Sequence, residues 1–225
     1  MKTVVRRLGR QAYETVWQAM REYTDARDAG GGDEVWLLEH PPVYTLGLAG
    51  RPEHVLDAGG IPVVHSDRGG QVTYHGPGQL VAYLLLDLKR RRLGVKDLVW
   101  RTEQAAIDAL AGLGVATSRR QGAPGVYAQG GKIAALGFRV RHGCCYHGLA
   151  VNVDMDLEPF TRIDPCGYAG LRVSSLREEG VRIGVPEFGE RLLRALDERL
   201  GIDGMAPAGP EVASLAPSGA GKGGG

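Results

Sequence analysis

Residues 67–80, DRGGQVTYHGPGQL, constrain the fold more than any other stretch: four glycines and a proline stand between two runs that read as β-strands, IPVVHS and LVAYLLLDL. A far shorter turn suffices when two strands only have to be joined. Glycine adopts positive φ freely and lets backbone approach backbone or ligand closely, at the largest conformational-entropy cost of any residue. The stretch therefore reads as a glycine-rich hairpin or as a backbone cradle whose N–H groups surround a ligand. It is not a nucleotide loop: GPGQL lacks the third glycine of a dinucleotide fingerprint, and no lysine follows in phosphate-loop position.

Around this stretch the periodicity alternates between helix and strand. Tyr13, Val16, Trp17, Met20 and Tyr23 recur with the helical period and predict an amphipathic helix over residues 11 to about 29, stopped by glycines 30–32. EVWLLEH and VYTLG, parted by Pro41 and Pro42, predict two strands. A second helix is expected over 95–113, with Leu98, Val99, Thr102, Ala105, Ala106, Ala109 and Leu110 inward. GVYAQGGKIAALGFRV reads as two strands joined through Gln129, Gly130 and Gly131, CYHGLAVNVDM as a further strand, and residues 186–200 as a late helix with Pro186 in its first turn. Strands clustered between well-separated helices predict an α+β domain, a mixed or antiparallel sheet flanked by helices, over residues 1–203. Residues 204–225, rich in Gly, Pro, Ala and Ser without apolar period, are expected to be a disordered tail.

Charge and cysteine content narrow the function classes. Twenty-seven basic against 26 acidic residues leave a formal net charge of +1, which argues against nonspecific nucleic-acid binding. The start, MKTVVRRLGR, has no apolar core of a signal peptide, and no uncharged apolar run is long enough to span a bilayer, so a cytoplasmic protein without a membrane partner is expected. Three cysteines cannot build a disulfide framework. Strand alternation through RHGCCYHG would put His142 and Cys144 on one face and Cys145 and His147 on the other, which disfavours a metal site and leaves a Cys145–His147 dyad open.

Three segments could carry chemistry. In the glycine stretch, Arg68 can anchor the loop through backbone carbonyls and His75 can donate or accept near neutral pH. In GGKIAALG, Lys132 stands at the mouth of an apolar strand, and Gly137 inside that strand marks a close approach by ligand or backbone. In RIDPCGYAGL, Cys166 lies in a turn, the placement expected of a nucleophile if a cation lowers its pKa. Each also has an ordinary structural reading as a packed histidine, a solvated lysine and an inert thiol.

Taken in order, RGGQVTYHGPGQL, GKIAALGFRV, HGLAVNV and PCG closely resemble the lipoyl(octanoyl) transferases, the octanoyl-[acyl-carrier-protein]:protein N-octanoyltransferases. The resemblance runs from the first strand to about residue 200 and implies a fold similar to the catalytic domains of biotin and lipoate protein ligases. It implies a Cys/Lys dyad on Cys166 and Lys132. The family's acyl-binding segments fall on Arg68, Gly69, Gly70, Gln71, Val72, Thr73, Tyr74 and His75, on Ala135, Leu136 and Gly137, and on Gly148, Leu149 and Ala150. Leu136 stands where isoleucine is expected to be common. The implied reaction moves an octanoyl group from octanoyl-acyl carrier protein, through a cysteine thioester, to a lysine ε-amine on lipoyl domains of 2-oxoacid dehydrogenases and on the glycine cleavage H protein. Because a thioester is already activated, no ATP, other cofactor or metal is called for. Tyr74 and His75 are expected to wall an apolar slot, with backbone N–H groups of the cradle and near Gly137 facing an oxyanion. The basic clusters LKRRRLG and SRRQG are candidates for steering an acidic carrier. Two other readings stand beside this one: an ATP-dependent lipoate or biotin ligase on the same fold, and a noncatalytic acyl- or lipoyl-domain-binding protein.

Overall fold

The computed structural model describes residues 3–27, 31–164, 171–202 and 206–207. In chain order these form β1 (Val4–Arg10), α1 (Tyr13–Ala26), β2 (Glu34–Glu39), β3 (Val43–Leu46), β4 (Val63–His65), β5 (Val72–His75), β6 (Gln79–Asp87), α2 (Val95–Ala111), β7 (Val126–Tyr127), β8 (Lys132–Arg141), β9 (Cys144–Asn152), α3 (Val185–Leu200) and β10 (Ala206–Pro207). A seven-stranded sheet runs β10-β1-β2-β6-β9-β8-β7, and a second sheet runs β4-β3-β5. β1 is parallel to β2 and β10 and β3 to β4, while the other neighbours are antiparallel, so the expected mixed α+β architecture is what forms.

The large sheet is covered on both faces, which is why β2 and β6 read as nearly unbroken apolar runs. Leu80, Ala82, Leu84 and Leu86 of β6 join Leu98, Ala105, Ala106 and Leu110 of α2 and Phe188, Leu192 and Leu196 of α3 in one core. Val81, Tyr83 and Leu85, the alternate side chains, join Val16 and Met20 of α1 in a second core on the opposite face. The small sheet has its own cluster of Tyr44, Leu46, Val72, Tyr74, Phe160 and Ile163. α3 ends at Gly201, whose φ of +59° is the left-handed cap that favours glycine. β8 and β9 form a hairpin through His142 (φ +54°) and Gly143 (φ +86°), the paired positive angles of a type I′ turn.

Several expectations change. The glycine stretch does not simply link two neighbouring strands: β4 and β6 lie in different sheets, and the stretch contains β5, which pairs antiparallel with β3. β1, whose VVRRLGR alternates poorly, was not expected; it pairs with β2 in a register interrupted between Arg7 and Gly9. Within the stretch expected to be a tail, Ala206 and Pro207 pair with Val4 and Val5. Residues 208–225 lie outside the described residues.

Candidate active site

A cavity of about 600 Å³ opens between the two sheets. Its floor belongs to the α1 face of the large sheet, where β8 and β9 put four small residues side by side: Ala135 opposite Ala150, and Gly137 opposite Gly148. Leu136 and Leu149 also adjoin the cavity, but they pack with the core on the other face, as strand alternation requires. The small floor residues leave room for the chain of residues 68–71 to lie across the sheet. Gly69 N–H donates to Phe138 O at 3.0 Å, and a methyl on Gly137 would stand 2.7 Å from Gly69 O. The close approach at Gly137 is therefore one of backbone to backbone, and the Gly69 N–H is already committed and is not available to an oxyanion.

Arg68 holds this roof from within. It is buried; its Nη2 donates to Thr45 O (2.6 Å) and Gln71 O (2.7 Å), its Nη1 to Gly69 O (2.9 Å) and its Nε to Thr45 Oγ1 (3.0 Å). Gly69, Gly70, Gln71, Val72, Thr73 and His75 line the cavity with it. Tyr74 does not. Its ring packs against Tyr44 and Phe160 at centroid distances of 5.5 and 5.4 Å, because β5 turns alternate side chains to opposite sides, so the expectation that Tyr74 walls the slot is corrected. Gly76 likewise serves packing, since a methyl there would collide with the Tyr74 ring.

At one end of the cavity stands Lys132, the first residue of β8. Its backbone receives the chain arriving from residue 171: Lys132 N–H donates to Arg172 O (2.8 Å), and Ser174 N–H donates to Lys132 O (3.0 Å). Lys132 Nζ lies 5.5 Å from the Tyr127 ring centroid. Leu171 and Val173 line the cavity beside it. Cys166 lies outside the described residues, in the segment 165–170. That segment is bracketed by Asp164, whose N–H donates to His54 O (2.8 Å), and by Leu171.

The far wall is a buried network that the sequence reading did not assemble. His75 Nδ1 and Gln79 Oε1 are 2.7 Å apart, and Gln79 Nε2 donates to Asn152 Oδ1 (3.0 Å) and Tyr74 O (3.2 Å). Asn152 Nδ2 donates to Ser174 O (2.8 Å), which joins His75 to the residue whose N–H donates to Lys132 O. Since the Gln79 oxygen only accepts, His75 must carry its proton on Nδ1. His40 bridges Gln11 O through Nδ1 and Tyr83 OH through Nε2, each at 2.7 Å, and by the same logic Nδ1 donates and Tyr83 OH donates back. Burial pulls the His40 pKa down to about 4 and that of His75 well below its usual value, so both are neutral at pH 7.

His147 lines the cavity too, and Asp67 and Tyr146 hold it from behind. His147 Nε2 lies 2.8 Å from Asp67 Oδ1, Trp17 Nε1 donates to the same oxygen at 2.7 Å, and Tyr146 OH donates to Asp67 Oδ2. Burial pushes the Asp67 carboxyl up, but the bonds from His147, Tyr146 and Trp17 outweigh it and hold the group well below the usual carboxylate range. Burial in turn pulls His147 down against the pull of Asp67. The pair is a neutral imidazole donating Nε2–H to an ionised carboxylate.

His147 also overturns the expected facing of the cysteines. With φ +61° it breaks strand alternation and turns to the side of Tyr146, away from Cys145. Cys145 is buried in the opposite core, its Sγ donating to Leu84 O, and burial pushes its thiol up to about 12; no Cys145–His147 dyad exists. Two arginines of the first basic cluster are likewise spoken for. Arg90 and Arg91 each hold a carboxylate oxygen of buried Asp33 at 2.6 Å, alongside Arg27. In the second, Arg119 pairs with Glu103 (3.0 Å) and Arg120 lies 4.2 Å from the Tyr127 ring centroid; Gly122, Ala123 and Pro124 next to them form the cavity rim.

The model of the family described as "Lipoyl protein ligase A/B catalytic domain" matches residues 12–197. An octanoyltransferase from Aromatoleum aromaticum is 62% identical over 197 residues, 88% of this chain and 85% of that one. Among solved structures, lipoate-protein ligase A bound with ATP has a TM-score of 0.78 at 18% identity, covering 96% of this chain and 92% of the other. A bi-partite lipoate protein ligase from Thermoplasma acidophilum, solved in work on an archaeal lipoylation system with its E2 lipoyl domain, has a TM-score of 0.75 at 19% identity, covering 96% and 90%.

Proposed function

The chain belongs to the octanoyltransferases of the lipoyl protein ligase A/B catalytic-domain family, and on that premise we propose that Cys166 carries the octanoyl group as a thioester between an acyl carrier protein and a lysine of a lipoyl domain. Acyl transfer in lipoate biosynthesis is the family's chemistry. The donor, the covalent intermediate and the residue roles are our reading of this chain. One observation carries it: Lys132 lines a cavity floored by alanine and glycine, and the chain leaving residues 165–170 lines the same cavity and pairs with Lys132.

The Cys166 thiolate, stabilised by the Lys132 ammonium, attacks the thioester carbonyl of the octanoyl carrier, and the carrier thiolate leaves with a proton from Lys132. The neutral Lys132 amine then accepts the proton of the incoming acceptor amine as that amine attacks the Cys166 thioester. Collapse releases the octanoyl amide and restores thiolate and ammonium. One thioester is exchanged for another before the amide forms, so no nucleotide enters. Acceptors are lysines on lipoyl domains, in keeping with the lipoyl-domain partner of the Thermoplasma ligase. Roof and floor would hold the octanoyl chain, with Ala135 and Ala150 beneath it.

The test is intact mass spectrometry after mixing with octanoyl-acyl carrier protein. Wild type and Cys145→Ser should gain one hydroxylamine-labile octanoyl unit, and Cys166→Ser should gain none. Turnover of free octanoate with ATP, surviving Cys166→Ser, would instead establish a ligase; binding of the octanoyl carrier with no adduct would establish a noncatalytic role.

A further inference from the structure

The geometry points to Asp67 and His147 as a positioning pair that sets the height of the 68–71 roof above the sheet, and so the bore of the acyl slot; this rests on the acyl-transfer reading above. Consecutive side chains of a strand point to opposite faces, yet Tyr146 and His147 both reach the carboxylate of Asp67, and their rings stack at a centroid distance of 5.0 Å. The left-handed backbone at His147 makes this possible. The other two non-glycine residues with positive φ among those described, Arg92 and His142, lie outside the strands, where such angles are common. His147 lies inside β9, where the conformation is costly and persists only if its surroundings enforce it.

The site bears two further costs. The His147 ring is 1% exposed, and with its proton on Nε2 its Nδ1 is a bare acceptor with no hydrogen-bond partner. A residue kept for packing alone would avoid the strain, the desolvation and the orphaned nitrogen. Position explains what they secure. Phe138 and His147 are cross-strand partners, and the roof is fastened to both: Gly69 N–H donates to Phe138 O, and Asp67, immediately before Arg68, accepts from His147. Two adjacent fastenings on one strand pair leave the roof little freedom to rise or slide. His147 itself lines the cavity. Its role passes through the loop, so it positions the slot and performs no step of the transfer.

The experiment compares wild type, His147→Ala, His147→Gln and Asp67→Asn by two readouts. Hydrogen exchange reads the Gly69 amide, and steady-state kinetics read kcat and KM with six-, eight- and ten-carbon acyl carriers. His147→Gln keeps an N–H donor for Asp67. We expect His147→Ala to speed Gly69 exchange at least about tenfold and to flatten the preference for eight carbons, with His147→Gln returning both toward wild type. If His147→Ala does not fold, Asp67→Asn, which leaves one oxygen for His147 and replaces the other by a donor facing Tyr146, should show the intermediate effect. Unchanged Gly69 exchange in a folded His147→Ala or Asp67→Asn overturns the pair, as does an equal loss at all three chain lengths or a His147→Gln as impaired as His147→Ala. A wild type that forms no octanoyl adduct would sink the acyl-transfer reading while Gly69 exchange still decides the pair.

Discussion

The two faces of the seven-stranded sheet are built on opposite terms. Under α2 and α3 the face is filled with leucines, among them Leu84, Leu98, Leu110, Leu192 and Leu196, all fully buried. On the α1 face the same strands turn to Ala135, Gly137, Gly148 and Ala150, and the space gained is left as the cavity. One face is packed throughout; the other packs α1 over β2 and β6 but leaves β8 and β9 open, and lines that margin with neutral histidines, tyrosines and one ionised aspartate held by hydrogen bonds. A strand can serve both ends at once because its side chains alternate, so the support and the site are separated by the thickness of one backbone.

That contrast can be broken by substitution on either face. Leu196→Ala, a large-to-small change in the filled core, should cost about 2–5 kcal/mol of stability in urea melts while leaving transfer per folded molecule unchanged; a matching loss of kcat would mean the faces are coupled. Acid should strike the cavity face. His40 titrates near 4 when folded and near 6.5 when unfolded, so the unfolded chain binds the extra proton between those values. Stability is then full above pH 6.5 and falls, by on the order of 3 kcal/mol, as pH drops toward 4. Melts of His40→Gln should show a shallower slope in that window, and an unchanged slope would assign the acid sensitivity elsewhere.

Gly137→Ala sharpens the comparison because its methyl would collide with Gly69 O. A displacement of the roof by about 1 Å should reduce kcat/KM by roughly 100-fold, read with octanoyl carrier at matched folded concentration; full activity would show that the roof does not shape the slot. Thiol labelling probes how tightly the start of β9 is packed. Cys144 and Cys145 are buried and burial raises both thiols, so iodoacetamide at pH 8 should leave them unmodified in native protein, as peptide mapping would reveal. The smallest effect belongs to the surface: Arg120→Glu, beside the cavity rim, should lower kcat/KM for the carrier by about threefold at low salt, and exposed Arg92→Glu should not. Equal effects would return the steering role to the first basic cluster.

Elements with strong periodicity were legible in the sequence: α1, α2 and α3 begin within about two residues of their expected starts, and β2, β3, β6, β8 and β9 form where apolar runs stand. β5 was hidden because four residues among glycines carry little period, and its pairing with β3 is a non-local event. The cavity-lining glycines and Lys132 were visible as motif. Asp67, His40, Tyr83 and Asn152 were not, because their meeting depends on five strands registering together. For His147 the sequence carried no signal: the dipeptide His-Gly has a positive angle at its histidine at 142–143 and 147–148 but not at 75–76.

Among the described residues the outermost strand of the large sheet at one margin is β10, whose Pro207 sits opposite Val5. Proline has no amide hydrogen to offer, so the last rung of that margin cannot complete a ladder with a passing chain. The opposite margin, β7, is two residues long and already bridged by Ser118 through Tyr127. Removing residues from 206 onward would strip Val4 and Val5 of this parallel partner and bare their backbone groups to whichever strand arrives first.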